Sequence, residues 1–413
     1  MIYFEKICNF CYHFGFIRGL FAQADATRDE LARALSTATV SYSAVNAASK
    51  KYIPNIHQVL YSCKVQPDAA RLDQKLLFEW TSGIESAKNP NKIPPTTFSS
   101  EALMYELVMT IASYGLSSAG MGCDASIAGD FATAAKEFKK AAGVFEHLGQ
   151  DQLPKWIARG SSVDEKSLPA EATTGVCDAF SILYLAFAQQ MAVATSMLKN
   201  TKPNYTLMAK LVLGISEQIE DSVKVFRTKA PTQMQTLDEA FLSLLAFQSA
   251  YTRGLSSYFL ARSSWEEDSA YGLAIAQMHE AIGKLKTREN AHSQGIPDVD
   301  GKNSPLKALS KDMQNVRAHM NTILKAWEKD NSSVYFDNVP SPIPVGSRLT
   351  QGLRLLKQGE KFALDENPTP MPLSLPLYRA LIPPPYSPSR VDLKRSDSDL
   401  ARELQAKLNA GQD

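Results

Sequence analysis

The chain has 413 residues, of which 44% are hydrophobic and 21% are charged. This composition supplies enough apolar surface for a large core and excludes a globally disordered protein. Lysine and arginine number 44 against 43 aspartates and glutamates, and the resulting formal net charge of +1 argues against a dedicated nucleic-acid-binding protein. The five cysteines are an odd number and are widely scattered, which is typical of a reducing compartment rather than of a disulfide framework.

The first 24 residues form a lead that differs from the rest of the chain. Residues 7–21 are rather apolar, but His13 and Arg18 interrupt the run, so we interpret it as a helix or a variable segment. A cleaved signal peptide is the less favoured alternative. Thr27 is followed by Glu30, a hydroxyl cap with a carboxylate three residues later, which predicts a helix that begins at Thr27.

The body of the chain, residues 25–378, is predicted to be all-α. Apolar residues recur at three- and four-residue steps, which is the period of a helix with one buried face. Helices are predicted over residues 72–80, 101–118, 130–148, 169–199, 205–228, 235–262, 265–288 and 306–330. Long helices with mostly short connections are typical of an irregular tetratricopeptide-like stack, although no fixed repeat period is evident.

The pattern changes at Val334, where an aromatic and β-branched run leads to Pro340. Such residues favour extended backbone, and several prolines follow. We expect Tyr335, Phe336 and Val339 to be packing anchors where this extended segment closes the helical body. Residues 379–413 are predicted to be a proline-rich, disordered tail with a short terminal helix.

No motif in the sequence supports an enzyme or a metal site. Gly120 to Ala125 matches a G-x-G-x-x-A string, but a helix precedes it where a dinucleotide site needs a strand, so we expect a turn between helices. Cys8 and Cys11 have no second ligand pair at the spacing that zinc requires. We therefore predict no catalytic residues, no metal and no cofactor, while a helical enzyme that assembles its site from distant residues stays an alternative.

Two features of the sequence indicate partner binding. Between Leu207 and Ile219 the apolar arc is broader than one core stripe needs, so this helix is either buried on two sides or leaves part of the arc to line a groove for an amphipathic helix. The residues alone favour burial on two sides. In the tail, Pro383, Pro384 and Tyr386 fit a P-P-x-Y ligand for a WW domain.

Several segments resemble the Bro-one (BRO) domain family. The resemblance covers roughly residues 25–378, and in length the chain is similar to the BROX-type members of the family, which are related to the N-terminal domain of ALIX. It is carried by Phe78-Glu79-Trp80-Thr81, by the helix with Tyr105-Glu106-Leu107, by the run from Ala134 to Leu148, by Leu153-Pro154-Lys155, by Ala188-Gln189-Gln190-Met191, and by Tyr335-Phe336 with Val339-Pro340.

This resemblance implies a curved, boomerang-like helical domain with a tetratricopeptide-like core and short extended or strand segments near its C-terminal end. It also implies a non-enzymatic adaptor of the ESCRT pathway that binds the C-terminal amphipathic helix of an ESCRT-III subunit. The implied groove contains Leu207, Met208 and Leu211. The family's aromatic position falls near Ala192, and an acidic position falls near Ala128.

The expected location is the cytoplasm and the surface of endosomes, with a peripheral membrane contact as a further expectation. BROX-type chains end in a prenylation box, which the last residues here do not match. The alternative function is a helical scaffold that a WW-domain protein recruits through Tyr386, with no ESCRT role.

Overall fold

The computed structural model describes residues 15–37, 39–66, 77–85, 97–157, 167–199, 203–290, 293, 295–371 and 373. Side chains are described from Phe21 onward. The described part is dominated by long helices, as the sequence predicts, and it confirms the all-α fold class. The helices are α1 (Gly15–Leu35), α2 (Tyr42–Val65), α3 (Leu103–Ile127), α4 (Phe131–His147), α5 (Leu153–Ile157), α6 (Thr174–Met197), α7 (Tyr205–Lys229), α8 (Pro231–Met234), α9 (Glu239–Glu266), α10 (Tyr271–Lys284) and α11 (Ser310–Asp330).

Each long helix packs mainly on the helices that precede and follow it in the chain. Short connections join α1 to α2, α3 to α4, α6 to α7 and α9 to α10, so successive helices run in opposite directions and these four turns lie along one edge of the stack. We call this edge the turn edge. Helix α6 is apolar enough by length and composition to cross a membrane, but most of it is buried between α4 and α7.

Short strands lie between α2 and α3. Strand β1 (Phe78–Thr81) pairs antiparallel with β2 (Thr97–Ser100) in the register Phe78 opposite Ser100. The prediction of a helix ending at Trp80 is therefore wrong, because the aromatic residues of this segment pair with a distant strand. The turn predicted at Gly120–Ala125 is also wrong, since both glycines lie inside α3, where Tyr42 and Phe138 approach too closely for a side chain.

A buried carboxylate joins the first elements to one another. Glu106 on α3 is fully buried, and its Oε1 accepts hydrogen bonds from Arg28 Nε on α1 (2.8 Å) and from the Tyr52 hydroxyl on α2 (3.0 Å). Its Oε2 accepts a third from the indole N–H of Trp80 on β1 at 2.7 Å. Removing Arg28 would leave the buried carboxylate without its cationic partner, and removing Tyr52 or Trp80 would cost it a hydrogen bond, so these four elements hold one another in place.

Helix α1 begins earlier than its sequence signal predicted. The helix starts at Gly15 rather than at Thr27, and Phe21 and Ala24 are buried in the core. Thr27 does not cap the helix, because its hydroxyl donates back to the carbonyls of Gln23 and Ala24 inside it. The capping signature at Thr27 was therefore a local coincidence.

After α11 the chain turns back across the stack as an extended segment, residues 336–373, which we call the strap. Its hydrogen bonds reach α10 through Gln277, α7 through Lys210, α4 through Lys139 and α2 through Ser62. The strap therefore crosses every second long helix in reverse chain order, and α10, α7, α4 and α2 share the face that it covers.

The strap docks on α7 and on α4 in the same way. On α7, the N–H of Leu353 donates to the Lys210 carbonyl at 2.8 Å, and the N–H of Gly352 donates to Glu217 at 3.0 Å. The Leu353 carbonyl lies directly over Gly214, where a Cβ would overlap it. A helix glycine is therefore required at this crossing.

On α4 the equivalent donors are the N–H groups of Glu360 and Gly359. They bond to the Lys139 carbonyl at 2.9 Å and to Glu146 at 3.3 Å, and the Glu360 carbonyl covers Gly143. Both helices thus carry the pattern Lys-x-x-x-Gly-x-x-Glu. The strap's two donor pairs are seven residues apart, at most about 23 Å when fully extended, which is enough to span the distance of about 16–20 Å between alternate helices.

The beginning of the strap differs from the prediction that its aromatic run packs inward. Phe336 is 73% exposed and adopts a left-handed conformation, with φ of 55°, and Val339 is also exposed. Tyr335 is half exposed and stacks on Tyr271, with ring centroids 3.6 Å apart. Of the three predicted anchors, Tyr335 thus packs on the helical body, and its ring also contacts Trp265. Asp337 adds a polar anchor, because its carboxylate accepts from the Tyr271 N–H at 3.0 Å and caps the start of α10.

We expect Gly143→Ala and Gly214→Ala to destabilise the protein by about 1–3 kcal/mol each, because the new methyl group displaces the strap. Gly283→Ala is the matched control, since nothing lies within 4 Å of its Cβ position. Alanine there should stabilise the helix by up to about 1 kcal/mol. Denaturant unfolding of the three variants measures this, and equal effects at all three positions would contradict the docking geometry.

Two histidines lie beneath the end of the strap. Burial lowers the pKa of His57, partly offset by Asp365 of the strap. Burial also lowers the pKa of His147, partly offset by Asp151, and the His147 ring lies 5.1 Å from that of Phe362. The folded state therefore favours the neutral imidazoles, and the unfolded chain binds protons more readily, near the ordinary pKa of about 6.5.

The stability of the protein should accordingly fall as the pH drops below about 6.5, where the unfolded chain takes up protons that the folded state resists. His147→Gln should flatten this part of the pH profile. Urea midpoints between pH 5.5 and 7.5 provide the measurement. A profile for His147→Gln that superposes on the wild type would rule out this role for His147.

Candidate partner-binding groove on helices α6 and α7

The start of α7 is fixed by two polar side chains. Asn204 caps the helix, its side-chain oxygen accepting from the Leu207 N–H at 2.8 Å. Glu267, in the turn after α9, accepts from the Tyr205 N–H at 3.0 Å and from the Ser263 hydroxyl at 2.7 Å. Although burial opposes it, these hydrogen bonds lower the pKa of the Glu267 carboxyl, so a negative charge faces the positive end of the helix dipole.

The predicted groove residues of α7 differ in exposure. Leu207 is 40% exposed, whereas Met208 and Leu211 are each 4% exposed and belong to the main core. The rest of the predicted arc, up to Ile219, is buried as well. Leu207 therefore presents the accessible part of the arc, one turn from the end of the helix.

The neighbouring apolar surface comes from the end of α6. Ala192 is half-buried, while Met197 and Leu198 are 40% and 68% exposed at the turn that leads into α7. Ile127, which is 87% exposed, lies at the turn between α3 and α4, also on the turn edge of the stack. We call the surface formed by Leu207, Ala192, Met197 and Leu198 the α6–α7 patch.

The strap borders this patch, and Gln189 holds it there. The fully buried Gln189 side chain on α6 donates from Nε2 to the carbonyls of Leu211 and Leu353, each at 2.8 Å. Its Oε1 accepts from the Leu355 N–H at 2.9 Å. The side chains of Leu353 and Leu355 are partly exposed beside the strap's crossing of α7. Gln189 therefore positions α7 and the strap relative to α6.

Sequence reasoning missed this role of Gln189. The segment Ala188-Gln189-Gln190-Met191 carried part of the family resemblance, but nothing local indicates that one amide bonds three backbone groups. The partners lie 22, 164 and 166 residues away. A polar residue inside the apolar run of α6 was the available signal, because a buried amide needs partners.

The other predicted sites lie in parts of the chain outside the described ranges. Pro383, Pro384 and Tyr386, the proposed WW-domain ligand, lie outside the described residues, as do Cys8 and Cys11. Within the described ranges, no cluster of three or more histidine, cysteine, aspartate or glutamate side chains is arranged to hold a metal ion.

The stacked helices and the strap that closes them define a helical-repeat domain. Comparison with family models identifies which kind: the BRO1-like domain matches residues 22–383. The chain belongs to the BRO1-like domain family, as its sequence resemblance predicts.

A curated relative and several solved structures agree with this. The vacuolar protein-sorting protein bro1 of Schizosaccharomyces pombe is 24% identical over 268 residues, which span 63% of this chain and 32% of the relative. The match thus spans about a third of the relative's length. The ALIX BRO1 CHMP4C complex has a TM-score of 0.65 at 16% identity, covering 89% of this chain and 93% of that one.

Two further structures show the same fold. ALIX in complex with the SIVmac239 PYKEVTEDL late domain has a TM-score of 0.63 at 15% identity, covering 89% of this chain and 47% of that one. A structure concerning endosomal targeting by the Bro1 domain has a TM-score of 0.60 at 15% identity, covering 86% of each chain. At these identities the likeness establishes the curved helical fold of the family.

The different burial of the two leucines predicts different effects of the same substitution. Leu207→Asp should change the free energy of unfolding by less than about 0.5 kcal/mol, because the side chain is partly solvated. Leu211→Asp should cost several kcal/mol, because it places a carboxylate in the core. Denaturant unfolding compares them directly. Similar losses from both substitutions would mean that Leu207 is not a surface residue.

Proposed function

We propose that this protein is a non-enzymatic adaptor of the ESCRT pathway that binds the C-terminal amphipathic helix of an ESCRT-III subunit at the α6–α7 patch. Membership of the BRO1-like family and the relative named for vacuolar protein sorting support the pathway. The similar fold of ALIX BRO1 in its complex with CHMP4C supports an ESCRT-III partner.

The observation that carries the proposal is the exposure of Leu207 in the first turn of α7, together with the exposure of Met197 and Leu198 at the end of α6. These large apolar side chains lie at one end of helices whose other large apolar residues are buried or half-buried. The apolar face of an amphipathic helix recognises such a surface through residues spaced three and four apart. Ala192, small and half-buried, leaves room for a side chain of the partner.

The size of the patch sets the expected affinity. Burying Leu207 and its two large neighbours against a partner contributes several kcal/mol, from which the costs of association and ordering are subtracted. Leu211 and Met208 add little, since both are already buried against the protein's own core. We therefore expect a transient complex with a dissociation constant in the micromolar range.

The proposal includes a location in the cytoplasm and on the surface of endosomes. The similar fold of the Bro1 domain studied for endosomal targeting supports it. Recruitment would come from the ESCRT-III partner, with a peripheral contact to the endosomal membrane as an additional attachment.

Titration of the full-length protein with labelled ESCRT-III C-terminal peptides tests the proposal. Leu207→Asp should weaken binding by at least about tenfold, or about 1.4 kcal/mol, because a charge replaces the accessible leucine. Val345→Asp is the control: Val345 is 80% exposed on the part of the strap that is bonded to α10 through Ser347 and Gln277.

Leu211→Asp is unsuitable as a binding test, because loss of folding would mimic loss of the site. Unchanged binding by Leu207→Asp, with the protein's stability intact, would refute the site. Absence of binding by the wild-type protein to all ESCRT-III peptides would refute the function.

A further inference from the structure

A second groove lies on the strap face, between α7 and α10. It is an open cavity of about 900 Å³ whose walls are α7, α10 and the loop that follows α10, and whose floor is α9. Its α7 wall extends from Glu220 to Thr228. Lys224 is 17 residues beyond Leu207, about 26 Å along the helix, so this groove is separate from the α6–α7 patch.

The floor of the groove is apolar. It contains Leu242, Leu245, Ala246 and Ala250 of α9, with Met234 at one end. Ala246 is half-buried and belongs to neither of the protein's two hydrophobic core clusters, so its methyl group faces the cavity. A ligand with apolar groups can therefore gain affinity by covering this floor.

The rims of the groove are strongly basic. The lining includes six cations and two carboxylates, although the whole chain is nearly neutral. The cations are Lys224, Arg227, Arg253, Lys284, Arg288 and Arg348, and the carboxylates are Glu220 and Glu280.

Part of this charge is compensated within the protein. Arg253 makes two hydrogen bonds to Glu220, at 2.7 and 2.8 Å, while Lys284 (2.6 Å) and Arg348 (3.0 Å) share Glu280. Lys224, Arg227 and Arg288 are exposed and form no ion pair with another residue in the described ranges. The rims thus offer a positive field to a ligand that enters the groove.

The strap already occupies the adjoining part of the space between α7 and α10. There the strap enters it with Ile343 buried and Leu349 packed against the core, and Arg348 pairs with Glu280. Beyond Arg348 the strap leaves for α7, and the groove continues without it. The strap is extended there apart from one 3-10 turn at Val345–Ser347, so the space between these helices accommodates a largely extended chain with apolar side chains on the α9 floor.

From these observations we propose that the groove between α7 and α10 binds an acidic peptide segment of a partner protein in extended conformation. Apolar side chains of the peptide cover Ala246 and its neighbours, and its carboxylates pair with Lys224, Arg227 and Arg288. The charge of the rims selects the acidic peptide over a basic or neutral one.

The test uses the full-length protein and a fluorescent peptide of about eight residues, which spans about 25 Å when extended and intersperses leucine and proline with glutamate. A second peptide replaces each glutamate by glutamine. The glutamate peptide should bind at least about tenfold more tightly at low salt, and the difference should shrink as salt screens the charges. Equal binding of the two peptides would overturn the proposal.

Variants locate the site. Lys224→Glu with Arg227→Glu should weaken binding of the glutamate peptide at least about tenfold, and Ala246→Glu should do the same by filling the floor with a like charge. Lys325→Glu with Lys329→Glu, at exposed positions on α11, makes the same change in net charge and should leave binding intact. If the charge reversal impairs folding, Lys224→Gln with Arg227→Gln replaces it.

Vesicles that contain phosphatidylserine distinguish a membrane from a peptide. Co-sedimentation that depends on Lys224 and Arg227, together with peptide binding that does not, would overturn the proposal in favour of a lipid surface. If the groove variants and the α11 control lose peptide binding equally, the binding is a nonspecific effect of net charge. That result would also overturn the proposal.

Discussion

The close approach of the strap's backbone to glycines inside two helices is the constraint on which the rest of the structure depends. The stacked helices contact mainly their immediate neighbours, and such a stack has no internal device that fixes its end-to-end geometry. The strap supplies one, because its Gly352 and Gly359 dock on α7 and α4 at a fixed separation. Each crossing combines a backbone hydrogen bond, a carboxylate acceptor and an absent Cβ, so neither helix can shift along the strap without losing all three.

The two binding surfaces are consequences of where the strap runs. Beside α7 the strap, held by Gln189, borders the exposed end of the apolar arc at Leu207. Between α7 and α10 the strap fills one part of the space and leaves the adjoining part open as a groove. Among the described residues, cations without an ion-pair partner, such as Lys224, line the rim of that groove. An element that looks like a closing device thus also determines which helix surfaces remain accessible.

The fold was predictable where the local signal and the tertiary context agree. Helix α4 begins within one residue of the predicted start at residue 130, and α7 begins at the predicted Tyr205, because a capping side chain and a regular apolar period coincide. Prediction failed where a residue distant in the sequence determines the local structure. Phe78 pairs with a residue 22 positions later in a strand, and Gly120 lies within a helix because Tyr42 packs on it. The candidate site shows the same division, since periodicity placed Leu207 and Leu211 on one arc, but only the packing of α6 and the strap separates the exposed leucine from the buried one.

The direction of the strap bears on how the protein assembles during synthesis. Helices that contact their sequence neighbours can pack as they leave the ribosome, from α1 onward. The strap then returns over them in the opposite order, and one of its final bonds, from the Met371 N–H to Ser62, joins residues 309 positions apart. Contacts of such long sequence separation form late, because the chain between them must first be ordered. A ribosome-bound chain would therefore expose the strap-binding glycines Gly143 and Gly214 until nearly all of the domain has emerged, a period in which chaperones have access to that face.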